Sequence, residues 1–121
     1  MYEPRTYRDW VEDKDLVSFS VAVKETDLHI RARRDLTAEA LAATKRYRAD
    51  LESYIKAHPV FLTTLKPFDV EGDAPPIVKE MADAAGLVGV GPMAAVAGAI
   101  AEKVGRELLQ FSDEVIMENG G

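Results

Sequence analysis

The most constraining feature of this chain is a run of 18 residues, Ala84–Ala101, with no charged side chain. Such a run has to be hidden from water or broken up, and its length touches the lower edge of what spans a bilayer. Gly86, Gly89, Gly91, Pro92 and Gly98 interrupt it, and most of the remainder is Ala. That composition favours a glycine-rich bend feeding a buried helix over a membrane span. The helix is expected from Pro92 to about Gln110, with Ala94, Ala95, Ala97, Gly98, Ala99 and Ala101 letting other elements approach its backbone.

Elsewhere the pattern alternates. Val17, Phe19, Val21 and Val23 share one face of a strand, and Leu28, Ile30 and Ala32 share one face of the next. Glu25-Thr26-Asp27 supplies the turn, so the two runs form a hairpin with one face in the core. Tyr7–Val11 reads as a short strand or arm, and Glu114–Glu118 as a last strand. Asp35 or Thr37 caps a helix carrying the stripe Ala40, Ala43, Tyr47, Leu51 and Tyr54, which Pro59 ends. Val60–Leu65 fits a short helix or a strand, and 66–76 is a proline-rich loop. Pro75 and Pro76 start a further helix, with Gly86 as its C-terminal cap. The expected fold class is α+β, a single domain over 1–121: a hairpin and a further strand packed with three helices, the Ala/Gly-rich helix central and buried.

Charge and composition exclude several functions. The 121 residues carry 15 Lys+Arg and 21 Asp+Glu, a net charge of −6. Residues 1–58 hold 11 basic and 11 acidic side chains, whereas 59–121 hold 4 and 10. Binding to nucleic acid or to an anionic membrane is therefore not expected. No cysteine is present, so thiolate chemistry and disulfides are absent. Residues 1–10 lack an apolar segment of signal type, and a cytoplasmic location is expected.

Four constellations are candidates for chemistry, each with a structural alternative. Gly89, Gly91 and Met93 lie where a glycine bend enters a helix, and free N–H groups there suit an anion; equally, the glycines permit a tight bend. His29, Arg31 and Arg33 alternate on one strand face, with Lys24 across the hairpin, and arginines grip phosphate or carboxylate bidentately; equally, they form a solvated face. Lys24-Glu25-Thr26-Asp27 groups an amine, a hydroxyl and two carboxylates, or is simply a turn. Glu118, Asn119, Gly120 and Gly121 put a carboxylate and an amide at a strand end, or again make a turn. His58 suits the C-terminal dipole of its helix. No metal site has a signature, and no Ser-His-Asp spacing is evident. A strand ending in Asn-Gly-Gly asks for a partner strand and would otherwise leave an edge open.

Several segments together resemble an uncharacterised prokaryotic family related to ApbE, the flavin transferases that move FMN from FAD onto proteins. They are Val23–Leu28, Leu51–Pro59, Gly89–Glu102 and Val115–Gly121. The resemblance implies an ApbE-like fold, of which this chain is the amino-terminal half. It also implies FAD or FMN and Mg²⁺ as cofactors; the metal and catalytic residues of ApbE lie largely in parts with no match here, and none is carried over. The resulting expectation is a protein that binds an anionic small molecule of flavin or nucleotide type, at Gly89–Met93 together with Glu118–Gly121, and acts as a transferase when complete. The alternative is an assembly module with no catalytic activity of its own. The expected partners are its own C-terminal half or a second subunit, in a homo-oligomer.

Overall fold

A computed structural model describes residues 4–8 and 15–119. Four strands form one antiparallel sheet: β1 (Pro4–Arg8), β2 (Val17–Val23), β3 (Thr26–Ala32) and β4 (Glu114–Asn119), in the order β1-β4-β3-β2. Four α-helices accompany it: α1 (Thr37–Ala57), α2 (Val60–Thr63), α3 (Pro76–Leu87) and α4 (Val96–Leu108). The chain divides into two compact units. One holds residues up to Lys45 and from Ala101 onward; the other is Arg46–Ile100.

The first unit is built on the alternation of the hairpin. Val21, Leu28, Ile30 and Ala32 are buried, as are Val115 and Met117 of β4. Directly paired residues share a face, and the register pairs Val17 with Ala32 with Val115, and Phe19 with Ile30 with Met117. Leu36, Ala40 and Ala43 of the α1 side, and Val104 and Leu108 of α4, are buried in the same unit. Val17 shares the core face yet is exposed, because β2 is an edge strand. Asp35 accepts the Thr37 hydroxyl at 2.5 Å and the Thr37 N–H at 2.9 Å at the start of α1, and these bonds, the hydroxyl's first, hold its carboxyl below its ordinary pKa.

Three expectations for this unit are corrected. The hairpin turn is Lys24-Glu25, not Glu25–Asp27, since Val23 pairs with Thr26. Lys24 takes φ 53°, the left-handed conformation that lets a two-residue loop follow the twist of its strands. Of the strand expected at Tyr7–Val11, Tyr7 and Arg8 lie in β1, which begins earlier, at Pro4, and 9–11 lie outside the described residues. The last strand leaves no open edge: β4 lies between β3 and β1, which pairs with it from Pro4↔Glu118 to Arg8↔Glu114. The amino-terminal segment supplies the missing partner.

The second unit gathers Leu51 and Tyr54 of α1, Phe61 of α2, and Ile77, Val78, Met81, Ala82 and Ala85 of α3, all buried. The ring of Phe61 meets Tyr54 and Phe68 edge-on, with centroids 5.2 and 5.3 Å away. The ambiguous segment after Pro59 is therefore a helix whose one buried side chain anchors an aromatic cluster. Helix α3 ends differently from expectation. Gly86 lies inside it, and the left-handed residue is Gly89 at φ 75°. Val90 N–H donates to Ala85 O at 3.1 Å and Gly89 N–H to Gly86 O at 3.2 Å, the paired bonds of a Schellman stop.

The run after Gly91 also departs from expectation. Pro92–Ala95 is a single 3-10 turn, and the α-helix starts only at Val96 and ends at Leu108. Ile100, Ala101, Val104 and Leu108 are buried, but Ala94 and Ala97 are exposed. The helix is thus buried in its later turns and not all round. Side chains as small as Ala lose little by facing water, which is why a charge-free run can surface. No single described helix is long and apolar enough to cross a membrane; α3 and the helix after Pro92 are bent by 103°.

Candidate functional site

The outer face of the sheet carries the strongest group of candidate side chains. Register places Ser18 opposite Arg31 and Ser20 opposite His29, with Glu118 of β4 on the other side of His29. Period-two alternation sends all five away from Leu28 and Ile30. Together with Phe19 and Ile30, which lie between them along the strands, they line an open groove of about 370 Å³.

Within the groove the imidazole is held from both sides. Ser20 Oγ lies 3.0 Å from His29 Nδ1, and Asp27 Oδ2 lies 3.6 Å from His29 Nε2. With the ring proton on Nε2, facing the carboxylate, Nδ1 accepts the Ser20 hydroxyl hydrogen. This orders a carboxylate, an imidazole and a hydroxyl along one face, although the His29 and Asp27 side chains are about half exposed. Sequence spacing hides this line, because Ser20 and His29 are brought together only by hairpin register. The usable signal is the two-residue turn: once Lys24-Glu25 is the loop, Ser20 falls opposite His29.

The other predicted cations behave differently. Arg33 is engaged in a knot at the end of β3. Its Nε donates to Asp113 at 2.9 Å, and its Nη1 lies 3.4 Å from Asp15. Its Nη2 lies 3.7 Å from the buried Glu114. The Asp113 hydrogen bond, then the charges of Asp113 and Asp15, raise its pKa. The guanidinium thus ties β3 to the start of β4, and it does not line the groove. Lys24 sits in the hairpin turn, beyond the last strand pair. Of the cations expected to act together, Arg31 and His29 share the groove, while Lys24 and Arg33 lie beyond its ends.

The glycine segments have structural work of their own. Gly89 is the left-handed stop of α3. At Gly91 an added Cβ would fall 1.9 Å from Thr64 O, so backbone passes directly against backbone. Met93 lies in the 3-10 turn and is partly exposed. Glu118 and Asn119, as neighbours on a strand, face opposite ways: Glu118 pairs with His29 at the groove and Asn119 with Leu28. Gly120 and Gly121 lie outside the described residues. Gly89–Met93 and Glu118–Asn119 belong to different compact units.

His58 meets the end of α1 as expected: its Nδ1 lies 3.2 Å from Tyr54 O, and its ring stacks on Tyr54 at 4.1 Å. Glu71 faces its Nε2 at 3.4 Å and accepts the Tyr54 hydroxyl hydrogen. Among the described residues no group of three His, Cys, Asp or Glu is placed to hold a metal ion.

An antiparallel sheet with a polar groove on one face and helices in sequence between its strands defines an α+β protein with an open depression on its sheet. The chain belongs to the family described as "AbpE bacteria", whose model matches residues 8–121. It is 43% identical over 111 residues to a UPF0280 protein of Methanococcus vannielii, covering 88% of this chain and 44% of that one. A UPF0280 protein of Methanopyrus kandleri is 41% identical over 107 residues, 88% of this chain and 43% of that protein. One of Methanocaldococcus jannaschii is 42% identical over 102 residues, 84% and 41% of the respective chains. The chain thus spans less than half the length of the curated relatives it matches.

Proposed function

We propose that this chain binds a small phosphate-bearing molecule of the flavin or nucleotide class in the outer groove of its sheet. The observation that carries this reading is the register that places Arg31 and His29 side by side, each opposite a serine hydroxyl, over one groove. The guanidinium and the hydroxyls suit phosphate oxygens. Glu118, at the same groove, suits the hydroxyls of a ribityl or ribose chain, which a carboxylate accepts. This assigns the anion site to the Arg31 side of the hairpin, and leaves Gly89–Met93 and Asn119 as bend and strand end. Transfer chemistry, as the ApbE resemblance implies, is a property proposed for the longer family protein.

The test is titration of the chain with FMN, riboflavin and ADP by calorimetry. FMN and ADP are expected to bind, and riboflavin, without phosphate, more weakly. Arg31→Ala is expected to weaken FMN binding about 10-fold or more, since a hydrogen bond to a charged group contributes roughly 1.5–3 kcal/mol. Equal affinity for FMN and riboflavin, or an unchanged affinity in Arg31→Ala, overturns the assignment. A second reading, an assembly module, rests on the exposed apolar side chains Leu65, Leu87 and Val88 of the other unit.

A further inference from the structure

The unit Arg46–Ile100 leaves large apolar side chains bare: Leu65 is 87% exposed, Leu87 89%, Val88 74% and Val90 36%. These are not scattered. A Cβ on Gly91 would fall 3.3 Å from Leu65 Cα as well as 1.9 Å from Thr64 O, so the backbone of Leu65 runs against Gly91, the residue after Val90. The Schellman bonds of Val88, Gly89 and Val90 to Ala85 and Gly86 fold 87–90 into one knuckle. Helix α3 packs directly on the Pro92 turn, which holds that knuckle beside Leu65. The result is a hydrogen-bonded, preformed apolar surface with no charged residue between Asp83 and Glu102. Exposed apolar residues are common singly, but a contiguous group marks a contact surface.

Independently of the anion groove, we infer that this knuckle is the seat for the part of the family protein that this chain does not cover. The relatives supply the occupant: the matched region is 44% of the Methanococcus vannielii protein and 43% of the Methanopyrus kandleri one. The remaining polypeptide would lay an apolar segment over Leu65, Leu87, Val88 and Val90. Charge disfavours a second copy of this chain. The whole chain carries a net charge of −6, so two copies repel each other. The same charge disfavours an anionic bilayer.

The experiment is co-expression of this chain with the polypeptide corresponding to the uncovered part of the Methanococcus vannielii protein. Size exclusion with light scattering is expected to show a one-to-one complex. Hydrogen exchange is expected to slow at 64–65 and 86–90 when the complex forms. Leu65→Asp and Leu87→Asp, made singly, are expected to weaken the complex 10-fold or more. Both side chains are exposed, so thermal unfolding of the uncomplexed variants is expected to match that of the parent. Absence of a complex, or a complex indifferent to both substitutions, overturns the inference. So does self-association of the chain alone that either substitution abolishes, which would make a second copy the occupant. Flotation of the chain with phosphatidylglycerol vesicles, lost in Leu87→Asp, would make a membrane the occupant and overturn it equally.

Discussion

Gly91 and Gly86 lie five residues apart and answer to different constraints. At Gly91 the space for a side chain is occupied by the Thr64 carbonyl, whereas an added Cβ at Gly86 meets nothing within 4 Å. Gly91→Ala is expected to destabilise the fold by about 3 kcal/mol or more, since backbone and not a flexible side chain has to move. Gly86→Ala, inside α3, is expected to stabilise it by roughly 0.5–1 kcal/mol. Urea unfolding of the two variants checks both signs. Tyr54 gives a pH signature in the same unit. Burial, and then the Glu71 hydrogen bond, favour its neutral phenol and push its pKa from 10 up to about 12. The unfolded chain releases that proton from its ordinary pKa upward, so stability is full below pH 10 and falls as pH rises towards 12. At the acidic end the Tyr54 hydroxyl, more than the facing His58, holds Glu71 below its ordinary 4.5. That contribution is present above pH 4.5 and is lost as pH falls through the lowered value. Tyr54→Phe is expected to flatten the stability profile at both ends, as read by urea midpoints across pH.

At the scale of elements, the sheet is joined to the chain that follows α4 through Ser112. Its buried hydroxyl accepts the Arg33 N–H at 3.0 Å and donates to Glu114 O at 2.7 Å, linking the end of β3 to the start of β4. Ser112→Ala leaves a part-buried N–H and a buried carbonyl without these bonds and is expected to cost about 1–3 kcal/mol. Thermal unfolding measures it. Arg33 closes the same junction from the side through Asp15 and Asp113. These contacts explain why an arginine that alternates with Arg31 in sequence serves structure while Arg31 lines a groove. The hairpin faces were legible because a period of two is visible in any run of Val, Ile and Leu. Ser20 and His29 were not, because their meeting depends on which two residues form the turn, and a slip of one position separates them.

Across the whole molecule, apolar residues divide into those that fold the chain and those that are bare. Ile100 and Leu87 belong to the same charge-free run, yet Ile100 is fully buried and Leu87 almost fully exposed. Ile100→Ala is expected to cost about 2–5 kcal/mol, whereas Leu87→Ser is expected to stay within about 0.5 kcal/mol. Chemical unfolding of both variants decides whether the division holds.

What the sequence by itself determined is local. The alternation of Val21, Leu28, Ile30 and Ala32, the Asp35 cap, the Pro59 stop and the Pro76 start of α3 all follow from side-chain period and backbone preference within a few residues. Tertiary structure decided the rest. It set Gly91 against a carbonyl 27 positions earlier in the chain. It also put β1 beside β4, so that the last strand is an interior one. Each of these depends on contacts between residues distant in sequence. Composition records that a residue is small or apolar; only packing settles what it lies against.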